Sequence, residues 1–200
     1  MYSGRVTDLF TTNIYLVRHA QSDHRVREDE LRPLTAKGMV DAQKVTTVLK
    51  SMKIDKVLSS PYPRTVDTVK HLADSIGQPV EAIEDFREQH VGGWVDDFKD
   101  FSRKQWENFD FKLEGGESLR EVQERNIAAL LHVREKYKGM NLVIGTHGTA
   151  LSTMINYYDP TFDFHSFWTI IDRMPYIIHL QFQNEPLVKI EEIEWMEEQA

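Results

Sequence analysis

Residues 14–22 read Ile14-Tyr15-Leu16-Val17-Arg18-His19-Ala20-Gln21-Ser22. Four strand-forming side chains run directly into Arg18-His19, and a small residue and a polar turn follow. Four consecutive apolar or aromatic positions are the pattern of a strand buried on both faces, as in a parallel α/β sheet. Ligands of open α/β sheets bind beyond the carboxyl ends of the strands. Arg18 and His19 are therefore expected where a ligand belongs. Arginine offers a fixed pair of donors to phosphate or carboxylate. Histidine near neutral pH can be nucleophile, acid, base or metal ligand. A single strand ending in Arg-His is a weak signal, and its weight comes from what recurs along the chain.

Before that strand, Met1 to Asn13 reads as a short polar lead-in, with no apolar block after a basic start that would mark a secretory signal. After it, residues 21–34 are polar and charged and read as a loop bordering the site, carrying Asp23, His24, Arg25, Arg27 and Arg32. Thr35 is an N-cap candidate for a helix of about 36–51, with Val40, Val45, Val48 and Leu49 as its apolar stripe. Val57-Leu58 is a short second strand that runs into Ser59-Ser60-Pro61-Tyr62-Pro63-Arg64-Thr65. Pro63 suits a first helical turn, and Val66, Val69, Leu72, Ala73 and Ile76 carry the helix to Gly77. Arg64 thus repeats the strand-then-arginine placement of Arg18, now at a helix N-terminus, where free N–H groups and the helix dipole attract anions.

A third strand is expected at about 79–83, then a loop from Phe86 to Trp94 containing Arg87-Glu88 and Gly92-Gly93. Residues 98–109 carry Phe98, Phe101, Trp106 and Phe109 and read as a helix with a core-facing aromatic stripe, or as a cover over the site. Phe86, Trp94, Phe98, Phe101 and Trp106 could together form an apolar wall for a substrate, or all belong to the core. Gly115-Gly116-Glu117-Ser118 precedes a long helix to about 137. Leu142-Val143-Ile144 is another buried strand, ending at Thr146-His147-Gly148-Thr149 with an apolar helix beyond. Residues 160–174 read as loop or short helix. Segments at about 174–182 and 187–195, the latter reaching Trp195, read as an antiparallel edge pair turning at Asn184-Glu185. Alternating strands and helices predict an α/β fold, three-layer α/β/α with a mostly parallel central sheet. The expected organisation is one domain over 1–200 with a small cap at about 86–116.

Composition narrows the function. The 200 residues are 40% hydrophobic and 28% charged, ordinary for a globular protein able to bury its own core. With no cysteine, disulfides, thiolate nucleophiles and Cys-based metal sites are out, which is compatible with a cytoplasmic setting. No apolar run approaches the roughly 20 residues of a membrane span, so no membrane partner is expected. The net charge of −8 argues against nucleic-acid binding. It does not exclude a phosphorylated small molecule, because surface charge is screened beyond about 8 Å and a local arginine cluster can hold a phosphate.

Arg18-His19, Arg64, Glu88 and His147-Gly148 lie at or near strand ends. Two arginines and two histidines suit holding and attacking a phosphoryl group, and an acid can protonate the leaving oxygen. The ordered set resembles the histidine phosphatase superfamily, also called the phosphoglycerate mutase-like family. Arg18-His19-Ala20 stands where that family has Arg-His-Gly. Arg32-Pro33-Leu34-Thr35-Ala36-Lys37-Gly38 resembles the opening of its first helix, and Ser59-Ser60-Pro61 through Arg64 its Ser-Ser-Pro…Arg segment. Arg87-Glu88 with Gly92-Gly93-Trp94 resembles its acidic loop, Gly115-Gly116-Glu117-Ser118 with Arg125 a later segment, and Thr146-His147-Gly148 its second-histidine motif.

The resemblance implies the family's fold and a reaction through a phosphohistidine. His19 is then the nucleophile, and Arg18, Arg64 and His147 clamp the phosphoryl oxygens. Glu88 is the proton donor and later the base. Ser22, Arg25 and Gly148 join the phosphate-binding set. The implied partner is a small phosphorylated substrate, with inorganic phosphate as product and no cofactor or metal. Chemically, fixed cations aimed at the phosphoryl oxygens stabilise the transition state, and a covalent intermediate divides one displacement into two. His19 must be neutral on its attacking nitrogen, so its other nitrogen needs an acceptor. Glu88 has to carry a proton when it acts as the acid, and a neighbouring phosphate dianion favours that form.

Two departures stand out. Ala20 replaces a glycine and requires negative φ there. Arg25 stands where many members carry asparagine. The insertion after the acidic loop is short, which favours phosphatase over mutase. A phosphoglycerate mutase is the alternative. A metal-dependent hydrolase using His19, Asp23 and His24 is a remote rival, in which Gln21 stands where a third histidine would be needed. No P-loop lysine motif is present. His71, His132, His165 and His179 read as structural or surface, and His24 and His90 as candidates for the mouth of the site.

Overall fold

The structure, a computed structural model, describes residues 9–194. Within them a six-stranded sheet runs in the order β3-β2-β4-β1-β5-β6. The strands are β1 (Thr11–Arg18), β2 (Lys56–Ser59), β3 (Val80–Ala82), β4 (Asn141–Thr146), β5 (Tyr176–Gln183) and β6 (Leu187–Glu192). The first four in spatial order are parallel, while β5 and β6 extend the β1 edge as antiparallel strands. The sheet is mixed and mostly parallel, as expected. The helices are α1 (Ala36–Lys50), α2 (Pro63–Ser75), α3 (Phe98–Glu107), α4 (Leu119–Lys136), α5 (Gly148–Tyr158) and α6 (Phe164–Thr169).

The three layers follow from the two-residue period of the strands. Ile14 and Leu16 of β1, with Leu58, Leu142, Ile144 and Leu180, face one side and pack on Leu130 and Val133 of α4 and Leu151 and Met154 of α5. Tyr15 and Val17, with Val57, Val143 and Ile177, face the other and pack on Val45 and Leu49 of α1 and Val69 and Leu72 of α2. Each such fully buried aliphatic side chain contributes about 1.5–3 kcal/mol relative to exposure. Burial on both faces is why the run 14–17 contains no polar residue.

Caps fix where the helices begin. The Thr35 side chain accepts from Gly38 N. Ser118 and Glu121 close a reciprocal capping box at α4. The strand expected from residue 14 starts at Thr11, because Thr11 to Asn13 pair through their main chain with Phe182 and its neighbours on β5. Asn184, at φ 55°, makes the turn between β5 and β6. Residues 1–8 of the expected lead-in and the strand residue Trp195 lie outside the described residues. Among the described residues no helix is long and apolar enough to cross a membrane.

Candidate active site

Adjacent strands are about 4.8 Å apart, so the carboxyl ends of β2, β4 and β1 bring three segments of sequence side by side. β1 delivers Arg18 and His19, β4 delivers His147, and β2 delivers Ser60 with the first turn of α2 behind it. Above these ends is a cavity of about 940 Å³, whose wall includes Arg18, His19, Ser22, Arg64, Glu88 and Gly148. His147 is fully buried and does not itself line the cavity; its ring lies 5.4 Å, centroid to centroid, from that of His19, which does.

His19 Nδ1 hydrogen-bonds the Ala20 carbonyl at 2.7 Å. With the proton on Nδ1 as donor, Nε2 is left as a lone pair. Burial, together with the guanidinium charges of Arg64 and Arg18, pushes His19 well below the usual imidazole range, against the Ala20 bond that favours its protonated form. His147 is pushed the same way by burial, then by Arg64, His19 and Arg18. Both rings are therefore neutral at pH 7. Ala20 N donates to Thr68 Oγ1 at 3.0 Å, and the Thr68 hydroxyl donates to the Arg64 carbonyl at 2.6 Å. Ala20 is not among the residues with positive φ, so the methyl in place of glycine is accommodated, packed against Leu34 and Ala42.

Arg18, 7% exposed, is oriented from the far side by main-chain carbonyls. Its Nη1 donates to Ile170 O at 2.8 Å. Gly148 lies against the guanidinium: a Cβ there would sit 3.2 Å from Nη2 and 3.3 Å from Cζ and Nε. The glycine begins α5 and leaves room for Arg18. Arg64 is 2% exposed at the second position of α2, its guanidinium 5.0 Å from the Tyr62 ring. His147 Nε2 hydrogen-bonds Ser60 Oγ at 2.8 Å. Arg18 Nε, Ser22 Oγ and His147 Nδ1 are buried without a protein hydrogen-bond partner. Unpaired buried polar atoms are costly, and Arg18 and Ser22 carry theirs on the cavity wall, where a polar ligand can satisfy them.

Glu88 lies on the N-terminus of α5. Its Oε2 accepts from Thr149 N at 3.1 Å, and its Oε1 accepts from Ala150 N at 3.1 Å and Gln89 N at 2.9 Å. The loop carrying it is braced by Glu117, which receives Arg87 Nη2 and Arg125 Nη2 at 3.0 Å each and the His90 N–H at 3.0 Å. Arg125 Nη1 also donates to the Asp85 carbonyl at 2.7 Å. Gly116 permits the close approach of the two loops: a Cβ there would be 2.3 Å from Val91 O.

Arg25 is a correction. Its side chain is 90% exposed and bound to Asp23, within the loop, where the Arg25 N–H, Nε and Nη2 all donate to the same carboxylate. It does not line the cavity and leaves the phosphate-binding set. The rival metal triplet is not assembled either. Asp23 is held by Arg25, and among the described residues no three His, Asp or Glu side chains group as metal ligands. His24 and His90 do line the cavity. Of the five aromatic wall candidates, Trp94 and Phe98 line it, whereas Phe86 and Phe101 are core and Trp106 packs on Phe162 and Phe167.

Sequence reasoning passed over Ser60, Thr68, the Ile170 carbonyl and the Arg87–Glu117–Arg125 brace. Thr68 left a trace, a polar residue one turn after Arg64 that is buried beside Val69 and Leu72. A main-chain carbonyl leaves none.

Comparison with known proteins fits this geometry. The sequence model of the histidine phosphatase superfamily (branch 1) matches residues 14–188. The probable phosphoglycerate mutase GpmB of Shigella dysenteriae is 30% identical over 156 residues, 72% of this chain and 73% of that one. Among solved structures, Bacillus stearothermophilus YhfR superposes with a TM-score of 0.72 at 23% identity, covering 88% of this chain and 94% of its own. A phosphoserine phosphatase of Entamoeba histolytica gives 0.72 at 19%, covering 90% and 96%. At these identities the structural likeness concerns the fold.

Proposed function

The chain belongs to the histidine phosphatase superfamily, and from that premise we propose that it is a phosphomonoesterase acting through a phosphohistidine. The observation that carries the reading is the His19 ring: neutral, tied through Nδ1 to Ala20 O at 2.7 Å, and flanked by the buried cations Arg18 and Arg64.

In the first step His19 Nε2 attacks phosphorus while the bond to the ester oxygen breaks. Glu88 gives its proton to that oxygen, and the alcohol leaves. In the second step Glu88 takes a proton from water, whose oxygen attacks the phosphohistidine. The N–P bond breaks and inorganic phosphate departs. Arg18, Arg64, Ser22 and His147 carry the charge on the phosphoryl oxygens. Gly148 keeps Arg18 in place.

The GpmB likeness favours a second reading, a phosphoglycerate mutase. Against it, the segment after the acidic loop holds one short helix, α3, packed on α6 by the Phe98–Trp168 contact, a small cap. One experiment separates the two. A panel of phosphomonoesters, with and without EDTA, is scored for released phosphate and for isomerised phosphoglycerate. Released phosphate, insensitive to EDTA and lost in His19→Ala, is the expected result. Isomerisation without net release identifies the mutase, and undiminished hydrolysis by His19→Ala removes His19 as nucleophile.

A further inference from the structure

The loop between β1 and α1 sends an acid onto the phosphoryl clamp. Asp29 opens a 3-10 turn, Asp29–Leu31, on the cavity wall. Its Oδ2 accepts from Arg64 Nη2 at 2.9 Å, and its main-chain carbonyl accepts from Arg64 Nη1. Its Oδ1 lies 2.9 Å from Arg32 Nη1. The Arg64 side chain is 2% exposed but that of Asp29 is 44% exposed, so the acid reaches a buried cation from the solvent side. A carboxylate and two phosphoryl oxygens present the same paired acceptors to a guanidinium edge.

We propose that Asp29 is a resident anion on the Arg64 arm of the site, displaced by the phosphoryl group of the substrate and retained on Arg32. This rests on the phosphomonoesterase reading and adds to it a residue that sets affinity. Two features suit the exchange. The 3-10 turn buries none of its residues, so moving it breaks no core packing. Arg32 caps the same turn and holds the Val26 carbonyl through Nε at 3.1 Å, so its Nη1 stays within reach of the displaced carboxylate and the acid keeps a cation. A phosphoryl dianion carries twice the charge of Asp29 and also engages Arg18, so it wins the competition. Monoanionic carboxylates do not, which makes Asp29 a filter for phosphoryl groups.

The test is calorimetric titration of the full chain with inorganic phosphate, alongside steady-state hydrolysis of p-nitrophenyl phosphate, for wild type, Asp29→Asn and Asp29→Ser. Releasing a partly exposed pair is expected to tighten phosphate binding by about fivefold in both variants. KM falls in parallel, and kcat does not rise with it, because the product leaves the same tighter clamp. Unchanged or weaker phosphate binding in both variants overturns the proposal and makes Asp29 a brace that positions Arg64. Wild-type protein that binds no phosphate overturns the phosphomonoesterase reading along with it, so the two failures are distinguishable.

Discussion

Keeping two buried imidazoles neutral makes the folded chain sensitive to acid. His19 and His147 are both held well below the usual imidazole range, chiefly by burial and then by Arg64. In the unfolded chain each returns to about 6.5. Below that pH the unfolded state takes up protons that the folded state refuses, so stability falls as pH falls. Each such histidine costs about 1.4 kcal/mol per pH unit once the unfolded ring is protonated. Between pH 7.5 and 5.5 the pair is expected to remove up to about 3 kcal/mol, a sizeable part of the roughly 5–15 kcal/mol typical of a domain. The assay is urea unfolding at both pH values in phosphate-free buffer, since bound phosphate favours the protonated rings. His19→Asn and His147→Asn should each remove part of the loss, and the double variant most of it, the remainder including the share of His24, which burial and Arg32 also hold below the usual imidazole range. A wild-type stability that is flat over this interval, or a double variant that retains the full loss, refutes the claim that both rings are neutral.

Other outcomes follow from the same geometry. Glu88→Ala should reduce hydrolysis of alkyl phosphates far more than of aryl phosphates, whose leaving groups need less protonation; equal losses in a two-substrate comparison remove Glu88 from the acid role. Glu117→Ala removes the carboxylate that joins Arg87 and Arg125 at 3.0 Å each, leaving Arg125 its bond to the Asp85 carbonyl, and should cost about 2 kcal/mol in chemical denaturation while lowering kcat through the displaced Glu88 loop. Gly148→Ala places a methyl 3.2 Å from Arg18 Nη2. Because Arg18 is tethered to the Ile170 carbonyl at 2.8 Å, the shift should cost on the order of tenfold in kcat/KM with little change in melting temperature.

The elements readable in advance were those whose local chemistry is self-sufficient. Residues 14–17 announce a two-sided strand because burial on both faces forbids polar side chains. Thr35 announces a helix start because it caps with its own side chain. Thr11 to Asn13 concealed the true start of β1, because their polar side chains lack an apolar strand pattern, while their main chain pairs with β5 and Asn13 Oδ1 bonds His179 and Gln181 on it. The same contrast runs through the site. Arg18, His19, Arg64 and His147 could be picked out because each follows a strand or opens a helix. Arg25 entered the set only through the resemblance, from a polar loop, and its guanidinium turns back to Asp23 and away from the cavity.

By itself, then, the sequence determined an α/β sheet with its chemistry at the strand ends, since hydrophobic periodicity and junction residues are local properties. Only the tertiary structure decided that β2, β4 and β1 lie side by side, that Glu117 braces the Glu88 loop across residues 87–125, and that Asp29 rests on Arg64, 35 positions away. Those pairings depend on strand order and on carbonyl and carboxylate directions in space, and a backbone carbonyl has the same signature in every residue of a sequence.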